Sequence, residues 1–141
     1  MSRFGPTVLR VVLGVIFVLH GYLGLFVLKP AGVAGFITLM GLPLGQLFAW
    51  YLILAHVLGG LMMIAGLWTR WAALANIPVM LVALLLFHID QGFFMTAVVA
   101  DAAAGKARVM GIEYPLLVLA ATLALVLLGG GALAMTDDDR W

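Results

Sequence analysis

Apolar residues in this chain run in blocks of about twenty, and the polar residues fall between the blocks or stand singly inside them. The block from Leu47 to Leu67 holds twenty-one residues without a formal charge. Wound as a helix it rises ~31 Å, about the thickness of bilayer hydrocarbon. Trp50 and Tyr51 sit near one end and Trp68 follows the other, as amphipathic rings do at the two water interfaces. Inside the block stands His56, an imidazole that needs a partner because lipid offers none. Gly59 and Gly60 follow one turn later and let a neighbouring helix approach closely.

The other blocks supply that neighbour. The first, Thr7 to Leu28, begins behind Arg3 and Arg10 and is too long for the apolar region of a signal peptide, so it reads as a retained span. Gly14 and Gly21 lie on one face of it, a packing groove. Lys29-Pro30 stops this helix, since proline disfavours helix in the residue before it. Ala31 to Met40 is apolar but too short to span, and predicts a short helix lying in the interface before the Gly41–Gly45 turn. The third block, Trp71 to Ile89, follows the second after almost no loop, so the two pack antiparallel. It carries Asn76, and Pro78 predicts a kink. In the connection 90–112, Phe93, Phe94 and the following Ala/Val run predict a second interfacial segment, with Gly105–Arg108 as an exposed tip.

The fourth block opens with Glu113 and runs from Tyr114 to Met135, with Ala120 and Ala124 as its packing face and Gly129–Gly131 loosening its last turns. Residues 136–141 read as a flexible acidic tail. The pattern predicts one domain over residues 1–141, with spans at 7–28, 47–67, 71–89 and 114–135. Its class is all-α integral membrane: an antiparallel bundle of four transmembrane helices with a short interfacial helix between helices 1 and 2.

Composition agrees. Hydrophobic residues make up 66% and charged residues 9%, outside the range of soluble domains. A net charge of +1 with no basic patch argues against nucleic acid as a partner, and leaves the lipid bilayer as the first one. The absence of cysteine removes disulfides, thiolate metal sites and thiol exchange, so redox work would require a bound cofactor. Arg3, Arg10, Arg70 and Arg140 gather at one side against Lys29, Lys106 and Arg108 at the other, which favours both termini in the cytoplasm.

The titratable side chains are distributed one per span. His20 and His56 stand at equal depth, ~12–14 Å from the same end at 1.5 Å per residue. His88 and Glu113 stand at that end of spans three and four, and Tyr22 and Tyr51 lie near the histidines in sequence. Bundles build polar pockets in this way. The expected site is therefore His20, Tyr22, Tyr51 and His56, with His88 and Glu113 at its mouth. A plainer reading makes His56 a packing residue and leaves His88 and Glu113 solvated. A pocket of this kind suits a quinone, which needs apolar walls and one or two polar groups facing its carbonyls. Haem held between His20 and His56 is the weaker alternative, and no metal site is expected.

The order of these features resembles the DoxX family of small bacterial four-helix membrane proteins. The resemblance rests on His20-Gly21, Gly41-Leu42-Pro43, Gly59-Gly60, Gly66-Leu67-Trp68-Thr69-Arg70, His88 with Gly92-Phe93-Phe94, Glu113-Tyr114 and the glycine-rich end of span four. Relatives resemble the membrane subunit of thiosulfate:quinone oxidoreductase. The resemblance thus implies a multi-pass protein of the bacterial cytoplasmic (inner) membrane, working beside other membrane or redox-enzyme subunits in quinone-linked chemistry. Two further classes stand beside it: a non-catalytic accessory subunit of a larger membrane complex, and a small-solute carrier.

Overall fold

The structure is a computed structural model and describes residues 3–94, 99–101, 106–108 and 111–136. The first apolar block forms α1 (Phe4–Tyr22), which continues through a π-helical turn at Leu23–Val27. Lys29 then takes φ 60°, a left-handed turn of the backbone. Pro30 behind it disfavours the right-handed helical region there. The short helix α2 (Lys29–Leu39) follows, where an interfacial helix was expected. Next come α3 (Gly45–Ala65) and α4 (Thr69–Val82), the latter prolonged by a π-helical turn at Ala83–His88 and a 3₁₀ turn at Ile89–Gln91. After the long connection comes α5 (Glu113–Leu128).

Three of these helical stretches are long and apolar enough to cross a membrane: Phe4–Val27, Gly45–Ala65 and Thr69–Gln91, of 24, 21 and 23 residues. The helix α5 is apolar but has 16 residues. The expected span to Met135 is cut short because Gly129 (φ 79°) and Gly131 (φ 71°) leave helical geometry. The connection 90–112 also differs from expectation. Its backbone pairs β1 (Val99–Asp101) with β2 (Lys106–Arg108) in a short antiparallel hairpin, so Lys106–Arg108 is a strand rather than a loop tip.

Glycines bring α1 and α3 together. A Cβ on Gly60 would lie 2.8 Å from the Gly14 carbonyl oxygen, and one on Gly21 would lie 2.9 Å from the Val57 nitrogen. Gly24 faces Ile53 further along, so one helix ascends as the other descends. Gly59 points elsewhere: its Cβ would lie 2.6 Å from Asn76 Nδ2 on α4. The α2 helix packs Val33, Ala34 and Ile37 against Ala49 and Ile53 of α3. On α5 the buried face is Pro115, Val118, Leu119, Thr122 and Leu125. Ala120 is exposed, which corrects the expected Ala120/Ala124 face.

One end of the molecule is fastened by Arg10, which is 2% exposed. Nη1 donates to the carbonyls of Met63 (2.7 Å) and Ile64 (2.6 Å) in the last turn of α3. Nε donates to Gly130 O at 2.9 Å and Nη2 to Leu133 O at 2.8 Å. The last carbonyls of a helix lack intrahelical donors and carry the negative end of its dipole, which a guanidinium satisfies on both counts. Ala132 N–H donates to Arg3 O, and the N–H groups of Met135 and Thr136 donate to Gly66 O. The glycine run therefore ends α5 and folds residues 129–136 across the base of α1 and the α3–α4 turn. Thr136 is thereby fixed, and the rest of the expected acidic tail lies outside the described residues.

Candidate functional site

At the end opposite Arg10, residues of all five helices face a common space. That space is a cavity of about 800 Å³. Its walls are mainly apolar: Phe17, Leu23, Val33, Phe36, Met80 and Val118 are among them. Both π-helical turns edge it, with Leu23 and Gly24 from the first and Ala83, Phe87 and His88 from the second. A π turn offsets the residues beyond it from the regular helical face, and such turns recur at functional sites.

Polar side chains enter this cavity at two places. The deeper group is His20 and His56, whose ring centroids are 6.3 Å apart with planes at 75°. Phe17 packs 5.0 Å from the His56 ring. His20 Nδ1 lies 2.9 Å from the Ile16 carbonyl oxygen, which can only accept, so Nδ1 carries the hydrogen. In the neutral ring Nε2 is then the acceptor. His56 is 6% exposed and its Nδ1 has no hydrogen-bond partner. Asn76 approaches it from α4, yet Asn76 Oδ1 is unpartnered too, while its Nδ2 donates to Ala55 O and Ala72 O, each at 2.9 Å. The second group is His88, Gln91 and Tyr114, at the start of the long connection and of α5. His88 Nδ1 and Gln91 Oε1 are buried without partners.

Of the six residues expected from the sequence, the structure brings His20, His56 and His88 to one cavity. It does not bring the other three. Tyr22 is exposed and packs on Phe26, 5.0 Å between ring centroids. Tyr51 donates its hydroxyl to Ala75 O at 2.7 Å, in the turn preceding Pro78. Glu113 opens α5 with its N–H on Phe93 O at 3.1 Å, and the next residue, Tyr114, lines the cavity. Gln91 was missed although it stands three residues after His88, the spacing of neighbours on a helical face.

Among the described residues no three His, Cys, Asp or Glu side chains cluster as a metal site would require. The arrangement can hold an amphipathic ring: apolar walls, one imidazole able to accept at Nε2, and further polar side chains on the lining from His56, His88, Gln91 and Tyr114.

Against families of known proteins, the DoxX model matches residues 5–89. That interval contains α1 from its second residue, α2 to α4 and both π-helical turns. A search of curated proteins finds no match, and a search of solved structures finds none.

Proposed function

The chain belongs to the DoxX family and is a multi-pass membrane protein; on that premise we propose that it is the membrane subunit of a quinone-linked oxidoreductase and holds the quinone head group in the cavity above α3. We read α5 as a fourth, antiparallel crossing. Its sixteen residues rise ~24 Å, and the folded segment 129–136 covers the remaining depth of a ~30 Å hydrocarbon layer. On this reading the Arg10 end faces the cytoplasm of a bacterial cell and the cavity lies in the outer half of the membrane.

The observation that carries the proposal is the His20–His56 pair, 6.3 Å between ring centroids, in a cavity whose walls are otherwise chiefly apolar. A quinone supplies two-electron, two-proton redox chemistry. The chain's own residues have narrower tasks. His20 Nε2 accepts the hydrogen of a hydroxyl, its other nitrogen being committed to Ile16 O. His56 turns Nδ1 toward Asn76 and offers its other ring nitrogen, Nε2, to a ligand oxygen. Phe17 fixes the His56 ring from the side. A proton received at His20 leaves through His88 and Tyr114, which line the way to α5.

An accessory role without chemistry is favoured by one observation: among the described residues no aspartate or glutamate lines the cavity, and its polar groups there are imidazole, carboxamide and phenol. Binding of quinone to the purified protein decides between the two readings. Wild type is expected to bind, and His20→Ala and His56→Ala to bind several-fold more weakly. An absorption spectrum of the same samples reports haem. If wild type binds no quinone, or both variants bind as wild type does, the accessory reading replaces this one.

A further inference from the structure

The cavity has a rim as well as walls, and the rim is chemically distinctive. Leu23, Leu28, Phe36 and Met40 line the cavity and are exposed, Leu28 by 54% and Phe36 by 55%. Leu23 belongs to the last turn of the first span, Leu28 joins that span to α2, and Phe36 and Met40 belong to α2 and its C-cap. A water-facing mouth would carry polar side chains at such positions, whereas exposed apolar side chains on a membrane helix meet lipid. The polar lining residues His88, Gln91 and Tyr114 belong to other elements, the end of the third span and the start of α5.

Across this rim α2 meets the π-helical turn of α4 through an aromatic stack. The Phe36 and Phe87 rings lie 4.9 Å apart with planes at 12°, and both line the cavity. Beneath the stack α2 presents Gly32, where an added Cβ would meet nothing nearer than Leu28 Cβ at 4.0 Å. Backbone thus forms part of the wall, and space remains next to it. A cavity of about 800 Å³ lies toward the upper part of the ~300–1,000 Å³ range of ligand pockets, larger than one ring occupied by two imidazoles requires.

We propose that the cavity opens sideways into the bilayer across the α2–α4 seam, with the Phe36–Phe87 stack as its gate. The ligand it takes is a membrane-dissolved amphiphile, with a polar ring reaching His20 and His56 and an apolar tail lying over Phe36 and Leu28. This rests on the cavity being the ligand site; it adds the route and the requirement for a tail. Swinging either phenyl ring aside breaks one stacked contact and leaves the helices in place, so the gate opens without rearranging the fold.

The chain's lack of cysteine makes the route measurable without any ligand. A single Ala83→Cys change puts a thiol on the cavity wall. The protein is reconstituted in phosphatidylcholine vesicles and treated with a lipid-partitioning maleimide or with a sulfonated, water-soluble one. The apolar reagent is expected to react several-fold faster. Adding Phe36→Ala should accelerate it further, and adding Gly32→Leu should slow it; a folding defect would not give opposite signs. Equal rates for the two reagents, or no response to either added substitution, overturns the proposal. A long-tailed quinone in the bilayer should also protect the introduced thiol. If the rate pattern holds and protection fails, the gate stands and the quinone reading falls.

Discussion

Arg10 and Gly130, separated by 120 positions in the chain, are joined by a hydrogen bond of 2.9 Å from the guanidinium Nε to the glycine carbonyl. The same guanidinium holds Met63, Ile64 and Leu133, so one side chain ties α1, α3 and the segment after α5 at a single point. Replacing it by Arg10→Leu takes the donor from the Ile64, Gly130 and Leu133 carbonyls, while Met63 O keeps the Gly66 N–H. The expected loss is at least ~3 kcal/mol, since each abandoned buried partner of a charged group costs ~1–3 kcal/mol. Arg10→Lys keeps the charge but lacks the planar fork and should recover part of it. Thermal unfolding in detergent measures both, and a wild-type melting curve for Arg10→Leu would contradict the structure.

The helix contacts give a sharper test, because neighbouring glycines face different partners. Gly60→Ala pushes a methyl group at the Gly14 backbone, which cannot yield, and should cost ~1–3 kcal/mol. Gly35, in α2, has nothing within 4 Å of an added Cβ. Gly35→Ala is expected to be neutral or to stabilise by ~0.5–1 kcal/mol through its higher helix propensity. If the two substitutions shift the melting temperature alike, the α1–α3 contact is not where the structure has it.

Gly59 and Asn76 should be coupled rather than additive. The Cβ of Gly59→Ala would collide with Asn76 Nδ2, and Asn76→Ala removes that obstacle along with two hydrogen bonds. A double-mutant cycle is expected to show a coupling of ~0.5–3 kcal/mol, the double variant being more stable than the sum of the single ones. Strict additivity would mean that Gly59 faces something other than Asn76.

These cases show what was legible in the sequence. Block length and glycine spacing were enough to locate three helices long and apolar enough to cross a membrane, the short α2 and the α1–α3 groove, because bilayer thickness and close helix approach constrain them directly. That His20 and His56 meet at one level was legible too, since rise per residue sets their register on antiparallel helices. Azimuth was neglected, and this is why the tyrosines were misplaced. Two positions separate His20 from Tyr22 and five separate His56 from Tyr51, rotations of ~200° and ~140° on a helix, so neither tyrosine shares its histidine's face. The π-helical turns and the role of Arg10 had no such signal. A lone arginine near the start of a span reads as a flanking charge, and its carbonyl partners come from segments 53 to 123 residues away.

Tyr51 separates stability from binding. Its hydroxyl serves Ala75 O and lies off the cavity wall. Tyr51→Phe should lower stability by ~0.5–1.5 kcal/mol, the net worth of one hydrogen bond, and leave quinone affinity unchanged. Tyr22→Phe, at an exposed ring, should change neither. Affinity lost in Tyr51→Phe would place this residue in the site after all.

The decisive residue is His56, because its packing role and its ligand role predict opposite results. If the imidazole merely fixed helix packing, replacing it would loosen the contact among Phe17, Asn76 and His20 and destabilise the protein. The structure gives the ring one polar side-chain neighbour on α4, Asn76, and His56 Nδ1 and Asn76 Oδ1 do not close a well-formed hydrogen bond between them. Removing a buried unsatisfied group in favour of an apolar one of similar size is neutral or stabilising, since the desolvation penalty of ~1–3 kcal/mol disappears with the group. His56→Leu is therefore expected to melt at or above the wild-type temperature without ligand, and to lose the thermal shift that added quinone gives wild type. Binding sites commonly keep such a cost in the unliganded state, where stability and function oppose each other. A melting temperature clearly below wild type, with the quinone shift intact, would make His56 a packing residue and leave His20 as the histidine on which binding depends.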